Sequence, residues 1–110
     1  MKIVIVDYEG RPVLTPSGEI DMYSSPMLRK ELMGLTGRKV SPLLVDLSAV
    51  SYIDSSGIAT FVEGLKATMT YGGKLRLVGI SEGIRQIFSF SKLDRVFEIY
   101  LNLEDAFRGR

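Results

Sequence analysis

The chain has 110 residues, 45% hydrophobic and 25% charged, with a formal net charge of +1 from 14 basic and 13 acidic side chains. That length predicts one domain over residues 1–110, large enough for a core without cross-links, and the near-neutral charge provides no field to attract nucleic acid or an anionic membrane. Cysteine and histidine are both missing, which excludes disulfides and any thiolate or imidazole metal site.

No apolar run approaches the ~18 residues of a membrane span, and "MKIVIVDYEG" is too short for a signal-peptide core. These features predict a cytoplasmic protein without membrane insertion. Ile3 to Tyr8 and Pro12 to Thr15 are β-prone and flank Glu9-Gly10-Arg11, a turn signal, so they read as a hairpin. Ser24-Ser25-Pro26 then opens a helix, with serine as cap and proline at the first helical position. Leu28, Leu32 and Leu35 lie on its apolar face, and Gly34 and Gly37 act as stop signals.

"PLLVDLSAVSYI" is nearly continuous in apolar residues through Leu43, Leu44, Val45 and Leu47, the pattern of one strand covered on both faces. From Gly57 to Thr70 a helical stripe places Ile58, Phe61, Val62, Leu65 and Met69 together, ending at Tyr71-Gly72-Gly73. "KLRLVGI" is a second buried-type strand. Ser81 caps a short helix carrying Ile84, Ile87 and Phe88, "RVFEIY" is a last strand, and Leu103 and Phe107 lie on a terminal helix. The order β-β-α-β-α-β-α-β-α predicts an α/β fold, a mixed sheet with an N-terminal antiparallel hairpin and about four helices.

The chemistry concentrates in Asp54-Ser55-Ser56-Gly57, where the central strand gives way to a helix. Three readings arise: a cap, a nucleophile and a switch. A nucleophilic serine needs a base. The chain has no histidine, no Ser-x-x-Lys occurs in this stretch, and Gly-x-Ser-x-Gly is missing. "YGGKLRL" fails as a phosphate loop, because Thr68 stands where glycine is required and Leu75 where Ser or Thr is required. Asp54 or Ser55 as helix cap satisfies amides that have no intrahelical partner. Ser56, at the positive end of the helix, is also placed for a phosphate to meet free amides there. Glu19 and Asp21, two residues apart at a strand end, read as solvated acids.

Four segments together resemble the STAS domain, in particular the bacterial anti-sigma factor antagonists: "SGEIDMYSSPMLRKEL", "LLVDLSAVSYIDSSGIATF", "GGKLRLVGIS" and "FSFSKLDRVFEIY". The similarity covers essentially the whole chain, and Asp-Ser-Ser-Gly is its most specific part. The resemblance implies that Ser56 is the phosphorylated serine and that Asp21, Asp54, Ser55, Ser56 and Gly57 contact the partner. It implies a binding module, with no catalytic residue, cofactor or metal of its own. In this reading the unphosphorylated form binds an anti-sigma factor that is also a serine protein kinase, so freeing a sigma factor. The phosphorylated form lets go, and a phosphoserine phosphatase resets it. The alternative is a STAS subunit on the ATPase of an ABC-type lipid-transport complex. Met22, Tyr23, Met27 and Ile58 are apolar residues near the site that would suit either partner.

Overall fold

The computed structural model describes residues 1–109. Strands β1 (Lys2–Tyr8) and β2 (Arg11–Ile20) form the expected hairpin. Its turn, Glu9-Gly10, has φ of 50° and 83°, and two successive positive-φ residues match the twist of a two-residue hairpin. Helix α1 (Ser25–Gly37), β3 (Leu43–Asp46), β4 (Val50–Ile53), α2 (Ser55–Met69), β5 (Leu75–Val78), α3 (Glu82–Phe90), β6 (Glu98–Tyr100) and α4 (Leu103–Arg108) follow. The sheet runs β1-β2-β3-β5-β6, with β4 paired to β2 off that path. All pairings beyond the hairpin are parallel.

Two faces of the sheet are covered. Leu14, Val45 and Leu77 join the larger core with Leu28 and Leu32 of α1, Phe61 of α2 and Phe88 of α3. Their alternates Val13, Leu44 and Val78 face the other way, against Ala106, Leu103 and Phe107 of α4. Burying each such Leu or Phe contributes about 1.5–3 kcal/mol, which explains why the central strands are apolar on both sides. Arg76 fastens α4 to the sheet. Its guanidinium donates to Glu98 Oε1 at 3.0 Å and to the Ala106 carbonyl at 3.0 Å.

Several elements differ from the expectation. The run Leu43 to Ile53 forms two strands rather than one, so the sheet has six strands. Asp46 Oδ1 accepts the Ser48 amide at 3.0 Å, and this local turn breaks the strand and moves the chain over to β2. Strand β2 continues beyond Thr15 to Ile20. β3 pairs with it at Val13 and Leu14, β4 at Gly18 to Ile20, and Pro16 falls in the gap where its missing N–H costs no bond to either strand. Gly34 lies inside α1, which ends at Gly37 with Lys39 in the left-handed region at φ 56°.

The buried face of α2 is Gly57, Thr60, Phe61, Gly64 and Thr68. Ile58, Val62 and Leu65 pack at its flank, and Met69 is 68% exposed. Small residues let α2 approach closely. A Cβ added to Gly64 would stand 2.5 Å from Leu32 Cδ2 of α1.

Candidate functional site

The site lies where two parallel strands end side by side. Glu19 pairs with Tyr52 and Ile20 with Ile53, so the loop after β2 and the loop after β4 emerge together at the strands' carboxyl ends, where open α/β sheets place their sites. The Asp54 amide donates to the Ile20 carbonyl at 3.0 Å. The Met22 amide of the first loop also favours the charged form of the Asp54 carboxylate, less than the other contacts do.

Asp54 caps α2. Its Oδ1 accepts the amides of Ser56 at 2.9 Å and Gly57 at 3.3 Å, and also the Ser56 hydroxyl at 2.5 Å. The cap is therefore the aspartate rather than a serine. Ser55 is the exposed first residue of the helix, and Ser56, half-buried, is the second. The amides expected to be open to a visiting phosphate are already held by Asp54. Gly57 is buried beneath them, and a Cβ there would lie 2.6 Å from Ile53 Cγ1 and 2.7 Å from Ile20 Cγ2. Only glycine lets the helix start this close to both strand ends.

The Ser56 hydroxyl, helped by the backbone amides and opposed by burial, holds the Asp54 carboxyl below its ordinary value of 3.8. Because the folded value is depressed, the cap's contribution is complete above the ordinary value and is lost as pH falls through the folded one. Removing the hydroxyl in Ser56→Ala should raise the Asp54 midpoint back toward 3.8 in a carboxyl-detected NMR titration. An unchanged midpoint would show that the hydroxyl does not donate to Asp54.

Asp21 is not a freely solvated acid. Its Oδ1 accepts the amides of Tyr23 at 2.9 Å and Ser24 at 3.0 Å, while the Ser24 hydroxyl donates to the Glu19 carbonyl at 2.9 Å. Ser24, expected to cap α1, makes no side-chain cap bond. The chain already turns from Asp21, whose carbonyl accepts the Ser25 amide at 2.8 Å, so capping shifts one turn earlier to Asp21 itself. Glu19 is exposed on β2. Glu19, Asp21, Ser24, Tyr23, Met1 and Met27 line an open cleft of about 440 Å³ beside the junction.

An exposed apolar rim accompanies these polar groups. Tyr23 is 86% exposed, Met22 66%, Met27 50% and Tyr52 47%. Ile58 is instead partly buried against the core. Tyr52 was not anticipated, although strand alternation carries the signal: with Ile53 inward, its neighbour must point out. Exposed Tyr and Met beside a polar centre have the composition of a protein-binding surface. Among the described residues, no three acidic side chains group as a metal site, and no helix is long and apolar enough to cross a membrane.

Comparison with known proteins agrees with this architecture. The STAS domain family matches residues 2–106. An anti-sigma-B factor antagonist of Bacillus subtilis is 37% identical over 83 residues, covering 76% of this chain and 75% of its own. The Listeria monocytogenes protein of the same name is 32% identical over 93 residues, covering 84% and 81%. The crystal structure of an anti-sigma factor antagonist from Mycobacterium paratuberculosis superposes with a TM-score of 0.88 at 27% identity, over 98% of this chain and 92% of that one. With the β1-β2 hairpin, the parallel strands and the junction all in place, the chain belongs to the STAS domain family.

Proposed function

We propose that this protein is an anti-sigma factor antagonist, a binding module whose partner-facing surface is the junction of the β2 and β4 loops and whose switch is phosphorylation of Ser56. The observation that carries the reading is the position of Ser56. Its hydroxyl is half-buried beside Asp54 at the start of α2, next to the exposed side chains of Met22, Tyr23, Met27 and Tyr52. The names of the Bacillus and Listeria relatives support the class of partner.

In this reading the unphosphorylated chain binds an anti-sigma factor with serine kinase activity, which brings its own ATP, and a sigma factor is set free. Asp21, Asp54, Ser55 and Ser56 form the centre of the contact, while Gly57, expected there too, is buried behind them and instead sets where α2 starts. Phosphorylation adds about −1.5 to −2 charge units near pH 7, taking the net charge from +1 to slightly negative. It also removes the proton that Ser56 donates to Asp54 and sets a dianion beside that carboxylate. Phosphate and Asp54 then compete for the amides of Ser56 and Gly57. The loser turns outward into the interface, and the partner is released until a phosphatase restores the serine.

Affinity co-purification from the protein's own cells, with bound proteins identified by mass spectrometry, tests the class of partner. A serine kinase with an ATP site is the expected companion. Recovery of an ABC-type ATPase with its permease would replace this reading with a transport-complex subunit.

A further inference from the structure

Two adjacent serines open α2, and their hydroxyls stand in different surroundings. The Ser56 hydroxyl donates to Asp54 Oδ1 at 2.5 Å, at the short end for a hydroxyl on a carboxylate. Ser55 is exposed, and its hydroxyl is not among the groups that the Asp54 carboxylate accepts. Asp54 is itself fixed from both ends. Its backbone amide donates to the Ile20 carbonyl at 3.0 Å, and Oδ1 accepts the amides of Ser56 and Gly57. The neighbouring acid, Asp21, spends its Oδ1 on the Tyr23 and Ser24 amides and on the Ser24 hydroxyl. Asp54 is therefore the acid bonded to Ser56, and it is in place before any partner arrives.

Resting on the assignment of Ser56 as the phosphorylated serine, we propose that Asp54 accepts the Ser56 proton during phosphorylation, so that this chain carries the base for its own modification and directs it to Ser56 rather than Ser55. In the step, Ser56 Oγ bonds to the γ-phosphorus of ATP as the bond from that phosphorus to the β–γ bridging oxygen breaks. ADP leaves with that electron pair, and the hydroxyl proton passes to Asp54 Oδ1 and then to solvent. Placement supports the step, because the hydroxyl hydrogen is pinned on Asp54 while the oxygen keeps lone pairs for phosphorus. The lowered proton affinity of this carboxylate does not oppose it. Phosphoryl transfer has a loose transition state with little bonding to the attacking oxygen, so the proton turns strongly acidic only late. By then a carboxylate already in contact is base enough. The Ser55 hydroxyl has no such bond to Asp54 and gains nothing from it.

Single-turnover phosphorylation of the full chain by its co-purified kinase with ATP, at saturating kinase, separates transfer from binding. Asp54→Asn is the informative variant. Asparagine caps a helix as well as aspartate does, and its amide oxygen can still accept the Ser56 hydroxyl but cannot take the proton. On charge alone this variant should speed transfer, since it removes a repulsion between Asp54 and the anionic γ-phosphate. A slowing therefore reports the lost base. Transfer to Ser56 is expected to fall about a hundredfold even at saturation, and the residual phosphate to be no longer confined to Ser56. If Asp54→Asn fails to fold, Asp54→Ser, which also caps, takes its place with the same expectation. A native chain phosphorylated on Ser56 beside a variant that transfers within a few-fold of it, or whose slowing disappears at saturating kinase, would overturn the role of Asp54 and leave the assignment of Ser56 intact. A native chain that takes no phosphate on Ser56 would overturn both.

Discussion

Ser56→Asp is expected to weaken partner binding by about a hundredfold or more, while Ser56→Ala binds within a few-fold of the native chain and is no longer released by ATP. The estimate follows from charge placement. A like charge forced into an interface costs several kcal/mol, and about 1.4 kcal/mol is tenfold in affinity. The Ser56 oxygen already stands 2.5 Å from Asp54 Oδ1, so an acidic side chain at 56 cannot form that contact and pushes the two carboxylates apart toward the partner. Ser56→Asn separates charge from shape, because it has the size of aspartate and no charge. It should bind much more like Ser56→Ala than like Ser56→Asp. Binding isotherms of the three variants against the co-purified partner check this, and equal affinity for all three would remove Ser56 from the switch.

The second large effect concerns stability. Gly57→Ala gains up to about 1 kcal/mol of helix propensity, yet its new methyl would sit 2.6 Å from Ile53 Cγ1 and 2.7 Å from Ile20 Cγ2. Both isoleucines are buried and their clashing carbons are attached directly to the branched Cβ, so neither can swing aside, and with two contacts this short the cost falls toward the top of the roughly 1–3 kcal/mol range of overpacking. Repulsion wins. A net loss of about 1–2 kcal/mol should lower the unfolding midpoint by roughly 4–10 °C. Gly34→Ala makes the same chemical change where nothing lies within 4 Å, so it should leave the midpoint unchanged or raise it. A Gly57→Ala protein as stable as its parent would mean that α2 is free to shift at its start. In that case the position of Ser56 would not be set by packing.

Much of this architecture is legible in the residues. The hairpin, the α1 face of Leu28, Leu32 and Leu35, the start of a helix directly after Asp54 and the helix capped by Ser81 all follow from periodicity and end signals, and these are local. What periodicity misses depends on side chains acting at a distance or on small residues. The division of β3 from β4 rests on Asp46 turning back to the Ser48 amide, which an apolar run conceals. The true face of α2 is set by Gly57, Thr60 and Gly64, and hydrophobic periodicity gives such residues no weight. At the candidate site the sequence marks Asp54 and Ser56 but not their division of labour. That the aspartate holds both amides and the hydroxyl emerges only when the ends of β2 and β4 are placed side by side.

The central claim is most directly tested by mixing the purified chain with its co-purified kinase and ATP, then following both intact mass and complex by native mass spectrometry. One added phosphate is expected, located on Ser56 by fragmentation, with the complex dissociating as the phosphate appears. Phosphate on Ser55, no phosphate at all, or a complex that survives modification of Ser56 would contradict it.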